Sequence, residues 1–412
     1  MILEPEVTLF DLVLCVSDAM DLVSPELVNH HKQVAYISSA LAETSGQSED
    51  MQAQLVLAGA VHDIGALSLH ERLDLMQFEF RHTRKHSDIG ARLLSLYGPL
   101  KPLSSIVRRH HSSWHRRSRI PHQCHILHLA DRVAVLIRRD RPILNQVKQI
   151  RRSIEEQAGK LFMPELVDSF RVLSQQESFW LDCVSSSLYR RIRRKAMRNS
   201  IILGTDTLLS LALFFSRIID FRSHFTAAHS SGVAATAEAL AECAGFSPRQ
   251  CRMMRIAGYL HDIGKLAVPR EILEKPGKLT PEEFEVMRCH TFHTFTILET
   301  LPGLQTINEY GAFHHERLNG RGYPFHHNAE NLSLGARIMA VADVFTAITE
   351  NRPYRQGMKR EDALSVLETM ARSGALDGKV VKLLSGNSRH ISAVRGKSQA
   401  QARKTYAHIL RE

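Results

Sequence analysis

Apolar residues along this 412-residue chain recur at helical rather than strand spacing. After His30 they fall at Val34, Ile37 and Leu41; after His229 they fall at Val233, Ala237 and Leu240. Steps of three and four place one apolar stripe along each helix. Alternation of Val, Ile and Thr with polar residues is scarce, and aromatic content is 7%, so the pattern predicts an all-α protein. The most apolar stretch, residues 201–221, is broken by Asp206 and Arg217. It predicts a buried or interdomain helix and is too polar to span a bilayer. Thr280-Pro281-Glu282-Glu283 predicts a helix start, with Thr280 as cap and Glu283 closing a capping box. Asn319-Gly320-Arg321-Gly322-Tyr323-Pro324 predicts an irregular loop, and Gly264 is expected to terminate the helix that carries His261-Asp262.

The pattern is written twice. Leu-Ala-Gly-Ala-Val-His-Asp-Ile-Gly at 57–65 parallels Ile-Ala-Gly-Tyr-Leu-His-Asp-Ile-Gly at 256–264. Leu-Ala-Asp-Arg-Val at 129–133 parallels Val-Ala-Asp-Val-Phe at 341–345, and Arg141-Pro142 and Arg352-Pro353 follow in turn. Two tandem helical bundles are expected, at 1–190 and 206–390, joined by a basic helical connector at 191–205. Residues 391–412, rich in Ser, Gln, Arg and Lys, are expected to form a basic tail, frayed or loosely docked.

Charge adds little to this picture. The net charge of +10 collects in runs such as Arg108-Arg109, Arg116-Arg117-Ser118-Arg119 and the cluster from Arg190 to Arg198. Such runs suit an anionic partner or a solvated helix face. No aromatic stripe interleaves them, so solvated faces are favoured and a nucleic-acid partner ranks last. The six cysteines contain no Cys-x-x-Cys, which fits reduced thiols in a cytoplasm. The N-terminus lacks a basic region ahead of an apolar run, so no signal peptide is expected.

The repeated polar residues carry the chemistry. The second half reads His229, His261-Asp262, His290, His314-His315, Asp343; the first reads His30, His62-Asp63, His86, His110-His111, Asp131. The step from lone His to His-Asp is 32 residues in both (30 to 62, 229 to 261), and from middle His to His-His it is 24 (86 to 110, 290 to 314). A single buried histidine is usually a core residue. One order of imidazoles and carboxylates found twice argues instead for paired divalent metals, and paired metals argue for phosphoester hydrolysis. Asp262 would bridge two metals: His229, His261 and Asp343 would complete the first, and His290, His314 and His315 would bind the second. Water or a bridging hydroxide would fill the remaining positions.

His-Asp-Ile-Gly-Lys at 261–265, His-His-Glu-Arg at 314–317, Gly-Tyr-Pro at 322–324, Val-Ala-Asp-Val-Phe and Arg-Pro-Tyr-Arg at 352–355 together resemble the HD-GYP family over about residues 206–380. The first half resembles a plainer HD domain. The resemblance implies an all-helical, metal-dependent phosphodiesterase in bacterial second-messenger signalling, acting on cyclic dinucleotides. Cyclic di-GMP is the first expectation and cyclic GMP-AMP the alternative. It implies two divalent metals, iron or manganese, although the donors also suit nickel or zinc. Asp262 and Lys265 are the expected catalytic residues, with Lys265, Arg352 and Arg355 facing phosphate. Gly322, Tyr323 and Pro324 would shape the site or meet signalling proteins, and the family allows a homodimer.

The chain also departs from the family. Asn319 stands where the family usually has Asp, and Thr346 where it has another Asp three residues after the last metal Asp. Phe225 stands where some members carry the carboxylate for a third metal, so two metals are expected. In the first half Ala66 replaces the Lys, and no Gly-Tyr-Pro follows His111. That half is therefore expected to be regulatory, with a second metal cluster on His30, His62, Asp63, His86, His110, His111 and Asp131. A general nucleotide phosphohydrolase and a non-catalytic signalling module are the rival readings.

Overall fold

Short polar caps start several of the helices that build the two clusters. Ser48 accepts from the Met51 N–H ahead of Glu49–Val61, and Ser247 forms a capping box with Gln250 ahead of Pro248–Leu260. Thr280 and Glu283 close the capping box expected for Pro281–Glu299. Ser333 accepts from Ala336 ahead of Leu334–Thr349. This computed structural model describes residues 7–24, 26–66, 68–78, 84–115, 119–196, 202–221, 228–351 and 356–411. The chain is all-α, as the periodicity predicts; its regular strands among the described residues are one pair, Val7–Thr8 with Ile202–Leu203.

The chain divides into two compact units, Thr8–Ile202 and the part from Leu203 onward. Each runs through the same helices. In the first they are His30–Thr44, Glu49–Val61, Arg84–Ser95, Ser104–Arg108 and His122–Leu136; in the second, His229–Cys243, Pro248–Leu260, Pro281–Glu299, Gln305–Ala312 and Leu334–Thr349. In both, the helix opening on the lone histidine packs against the next helix and the last. Glycine permits the first of these contacts. A Cβ on Gly59 would stand 2.6 Å from Ala35 Cα, and one on Gly258 would stand 2.5 Å from Ala234 Cα.

Three expectations change. Gly264 was expected to terminate the His-Asp helix. The helix instead ends at Leu260, and Gly264 lies inside a 3-10 turn, Ile263–Ala267, where backbone of Pro281–Glu299 leaves no room for a Cβ. The basic run after Tyr189, expected as a helical connector between the bundles, does not stand apart from them over residues 191–196. Helix Leu188–Ala196 belongs to the first unit and buries Leu188, Ile192 and Ala196. Arg193 bonds Asp11 at 2.9 Å, Arg191 pairs with Asp182 and Lys195 with Glu43, so part of this charge is structural rather than solvated. The tail is also ordered: it is the end of a 34-residue helix, Gly378–Arg411, packed on His229–Cys243. Val380, Val381, Leu384 and Ile391 are buried along it, each stabilising by ~1.5–3 kcal/mol. Those sparse apolar positions outweigh the polar composition.

No helix among the described residues is long and apolar enough to cross a membrane. The helix on the long apolar stretch, Thr205–Phe221, buries Leu208, Leu211, Phe214, Phe215 and Ile218 in the second unit.

Candidate metal centre

Backbone carbonyls aim the histidines. His261 Nδ1 lies 2.8 Å from Gly258 O, His290 Nδ1 2.5 Å from Met287 O and His314 Nδ1 2.7 Å from Gly311 O. A carbonyl only accepts, so each Nδ1 carries the hydrogen and each Nε2 keeps its lone pair for the site. The first unit repeats the device at His62 with Gly59 O, 2.8 Å, and at His110 with Val107 O, 2.6 Å. His229 is aimed by a carboxylate instead: its Nδ1 donates to Glu350 Oε2 at 2.9 Å, and Gln399 of the C-terminal helix donates to the other Glu350 oxygen.

The second unit gathers all its expected metal residues in one place. Asp262 Oδ2 faces His261 Nε2 at 3.1 Å, while Oδ1 faces His290 Nε2 at 3.4 Å and His314 Nε2 at 3.9 Å. Asp343 Oδ1 lies 3.2 Å from His229 Nε2 and 4.0 Å from His261 Nε2. Donor atoms of His229, His261 and Asp343 form one group within 4.8 Å, and those of His290, His314 and His315 form another. Lys265 Nζ bonds Asp262 Oδ2 at 2.6 Å.

The electrostatics suit cations. Burial pushes His290 down to about 3 and His315 to about 4, so both are neutral donors at pH 7. Burial opposes charge on Asp262, but His261 and Lys265 outweigh it and hold the carboxyl well below its usual range. Burial also acts against charge on His229, yet Glu350 and Asp343 raise it to about 10, so a cation binding there takes the place of the Nε2 proton. His261 Nε2 and Asp262 Oδ1 are buried with no hydrogen-bond partner. Unmet donors and acceptors of this kind fit a bound divalent cation.

The first unit gathers its own set. Asp63 Oδ1 lies 3.4 Å from His86 Nε2 and 3.5 Å from His110 Nε2, and Asp63 Oδ2 lies 3.3 Å from His62 Nε2. His30 Nε2 is 3.5 Å from Asp131 Oδ1, and His111 Nε2 is 3.1 Å from His86 Nε2. Asp63, His86, His110 and His111 form a four-donor group within 4.8 Å; His62 groups with His30 and Asp63 and with His110 and Asp131. Both halves thus hold His/Asp clusters consistent with divalent metal sites.

The Gly-Tyr-Pro loop borders the second site. The Tyr323 ring centroid is 5.0 Å from that of His315, and Arg288 stacks over Tyr323 at 5.0 Å. A Cβ on Gly322 would stand 2.4 Å from Glu316 Cα. The Glu316 carboxylate accepts from Phe325 N at 2.7 Å and His327 N at 3.0 Å, fixing the backbone after Pro324. Phe325 packs on an apolar cluster with Phe313, Leu332 and Ala336. Arg352 and Arg355 lie outside the described residues, as does Phe225. Asn319 sits in an exposed turn, accepting from Arg321 N and donating to Ser373 O. Thr346 is fully buried, its hydroxyl 3.4 Å from that of Thr236.

Sequence reasoning missed Glu350 and Gln399. Glu350 had a weak signal, a carboxylate seven residues beyond Asp343 (343 to 350), two helical turns along. Gln399 had none, because it arrives from the segment read as tail. Glu350→Gln is expected to weaken manganese binding to the second unit by about 10–100-fold, as loss of an orienting partner does elsewhere. Metal titration followed by calorimetry checks this; unchanged affinity would reduce Glu350 to a packing role.

Family models for the HD domain match residues 27–136 and 214–380. The 3'3'-cGAMP-specific phosphodiesterase 1 of Vibrio cholerae serotype O1 is 30% identical over 408 residues, covering 94% of this chain and 93% of that protein. The chain belongs to the HD-GYP family. Its HD-GYP domain follows a second HD domain, and the relative spans both. A cyclic di-GMP phosphodiesterase of Thermotoga maritima is 36% identical over 168 residues, 40% of this chain and 46% of that protein. A solved cyclic GMP-AMP-specific phosphodiesterase of V. cholerae superposes with a TM-score of 0.67, covering 93% of this chain and 98% of that one at 22% identity; that likeness is one of fold.

Proposed function

We propose that this chain is a metal-dependent cyclic dinucleotide phosphodiesterase of bacterial second-messenger signalling, and that its HD-GYP domain hydrolyses 3'3'-cGAMP. The observation that carries the reading is Asp262, whose two oxygens face separate groups of imidazoles. The comparisons favour the alternative substrate over cyclic di-GMP. The relative aligned with 94% of the chain is named for 3'3'-cGAMP, whereas the cyclic di-GMP phosphodiesterase described above aligns with 40%.

His229, His261, Asp262 and Asp343 would hold one divalent cation, and His290, His314 and His315 would hold the other together with Asp262. Iron or manganese suits these donors. Such cations lower the pKa of water and neutralise charge on a phosphodiester. In the overall reaction an oxygen from water joins phosphorus, the P–O3′ bond breaks, and the released 3′-oxygen takes a proton. Lys265 would stabilise the developing charge on the phosphoryl oxygens. Arg352 and Arg355 keep the phosphate-facing role that the family resemblance implies, because their guanidinium forks match a phosphate pair.

The test is anaerobic loading with manganese or iron, followed by chromatography of reactions with 3'3'-cGAMP and cyclic di-GMP. The expected kcat/KM for 3'3'-cGAMP exceeds that for cyclic di-GMP by at least about tenfold, the discrimination one changed pocket contact can supply. Faster loss of cyclic di-GMP would overturn the substrate, and no turnover of either would overturn the activity.

A further inference from the structure

The two clusters differ beside their last aspartate: Asp131 is followed by Arg132, Asp343 by Val344. Arg132 is 3% exposed and gives Asp131 Oδ2 two bonds, from Nη2 at 2.7 Å and Nε at 3.2 Å. Its other donors are pinned on Leu75 O at 3.0 Å and Gln77 O at 2.7 Å. A guanidinium held on three sides cannot swing away. Lys265, the cation on Asp262, differs. Its side chain is 21% exposed on a flexible stem and can move aside.

His30 differs from His229 as well. The position matching Glu350 is Arg138, which is exposed and pairs with Asp140, so no carboxylate stands there to orient the His30 ring. A cation at the His30 end would meet an aspartate whose Oδ2 is already bound by a fixed guanidinium that balances its charge, leaving Oδ1 as the one open oxygen. The opposite end is built. Asp63, His86, His110 and His111 each offer a donor within 4.8 Å of the others, and His110 is aimed by Val107 O.

We propose that the N-terminal cluster holds a single divalent cation, on Asp63, His86, His110 and His111, and that the Arg132 guanidinium permanently takes the charge position of a second. The assignment does not rest on the phosphodiesterase reading. It makes the first unit a one-cation site, without the paired cations that clamp a phosphodiester.

The test loads the full chain with manganese, removes the excess, and reads the metal-to-protein ratio and the electron paramagnetic resonance spectrum. The expected wild-type ratio is about three, a spin-coupled pair plus one uncoupled ion. In an Asp262→Ala chain the pair should vanish and the uncoupled ion remain. Adding His86→Ala should remove that ion, and adding His30→Ala should leave it. In the Asp262→Ala background, Arg132→Met should raise the ratio from about one to about two; should that variant not fold, the histidine variants still decide. A coupled pair persisting in the Asp262→Ala chain would overturn the proposal. So would loss of the ion with His30→Ala but not with His86→Ala. A wild-type chain with one uncoupled manganese and no pair would support it if His86→Ala removes that ion, while counting against the C-terminal pair, and would overturn it if His86→Ala leaves the ion in place.

Discussion

An Asp262→Ala chain is expected to lose at least about 10³-fold in 3'3'-cGAMP hydrolysis while remaining folded, a deficit at the upper end of what removing one preorganised charge-stabilising group produces. The reason lies in how its oxygens divide. One faces His261 and the other faces His290 and His314, whereas the shortest contacts of Asp343 are to His229 and His261 only. Alanine therefore leaves two groups of imidazoles with no shared carboxylate and removes the oxygen that Lys265 Nζ bonds at 2.6 Å. Circular dichroism should be unchanged, because a small side chain is removed from among polar groups rather than from the apolar core. Metal analysis and turnover are measured together. If the variant retains both its metals and its rate, Asp262 does not join the two groups.

The sequence is most legible where chemistry and packing repeat in register. Fifteen-residue helices open on both lone histidines, and thirteen-residue helices lead into both His-Asp pairs, so equal spacing in the chain reflects equal geometry in space. The Gly-Tyr-Pro block was legible as a loop, but its anchorage by the Glu316 carboxylate was not. What escaped reading depends on contacts with no local period. Glu350 matters because Gln399 reaches it from 49 residues away, and Gln399 lies on a helix whose few apolar residues are diluted by Ser, Arg and Lys. Arg132 escaped for a different reason. An arginine beside an aspartate reads as surface charge until burial and three pinned carbonyl and carboxylate contacts are seen. In both cases composition suggested solvent, and the fold placed the residue beside a metal-type cluster.

Gly264→Ala is expected to destabilise the second unit by about 3 kcal/mol or more, the upper end of the range for forcing a methyl into packed structure. A Cβ there would stand 1.9 Å from His290 O and 2.6 Å from Thr294 N. These are backbone atoms of Pro281–Glu299, so no side chain can turn aside to relieve the clash. Thr294 also ties the two segments, accepting from Gly264 N at 3.0 Å and donating to His261 O at 2.9 Å. The helix must move away, and His290 moves with it, so loss of metal should accompany loss of stability. For a unit of this size the thermal transition should fall by roughly 6–12 °C. Gly386→Ala is the control: nothing lies within 4 Å of its Cβ, in a long helix where alanine should gain about 0.5–1 kcal/mol. Gly65 repeats the constraint in the first unit, 2.1 Å from His86 O. The glycine after each His-Asp-Ile is thus a steric requirement for bringing the middle histidine to the aspartate. A Gly264→Ala chain that melted like wild type and kept its metals would show that this helix can yield without moving His290, and the close approach would no longer explain why glycine stands there.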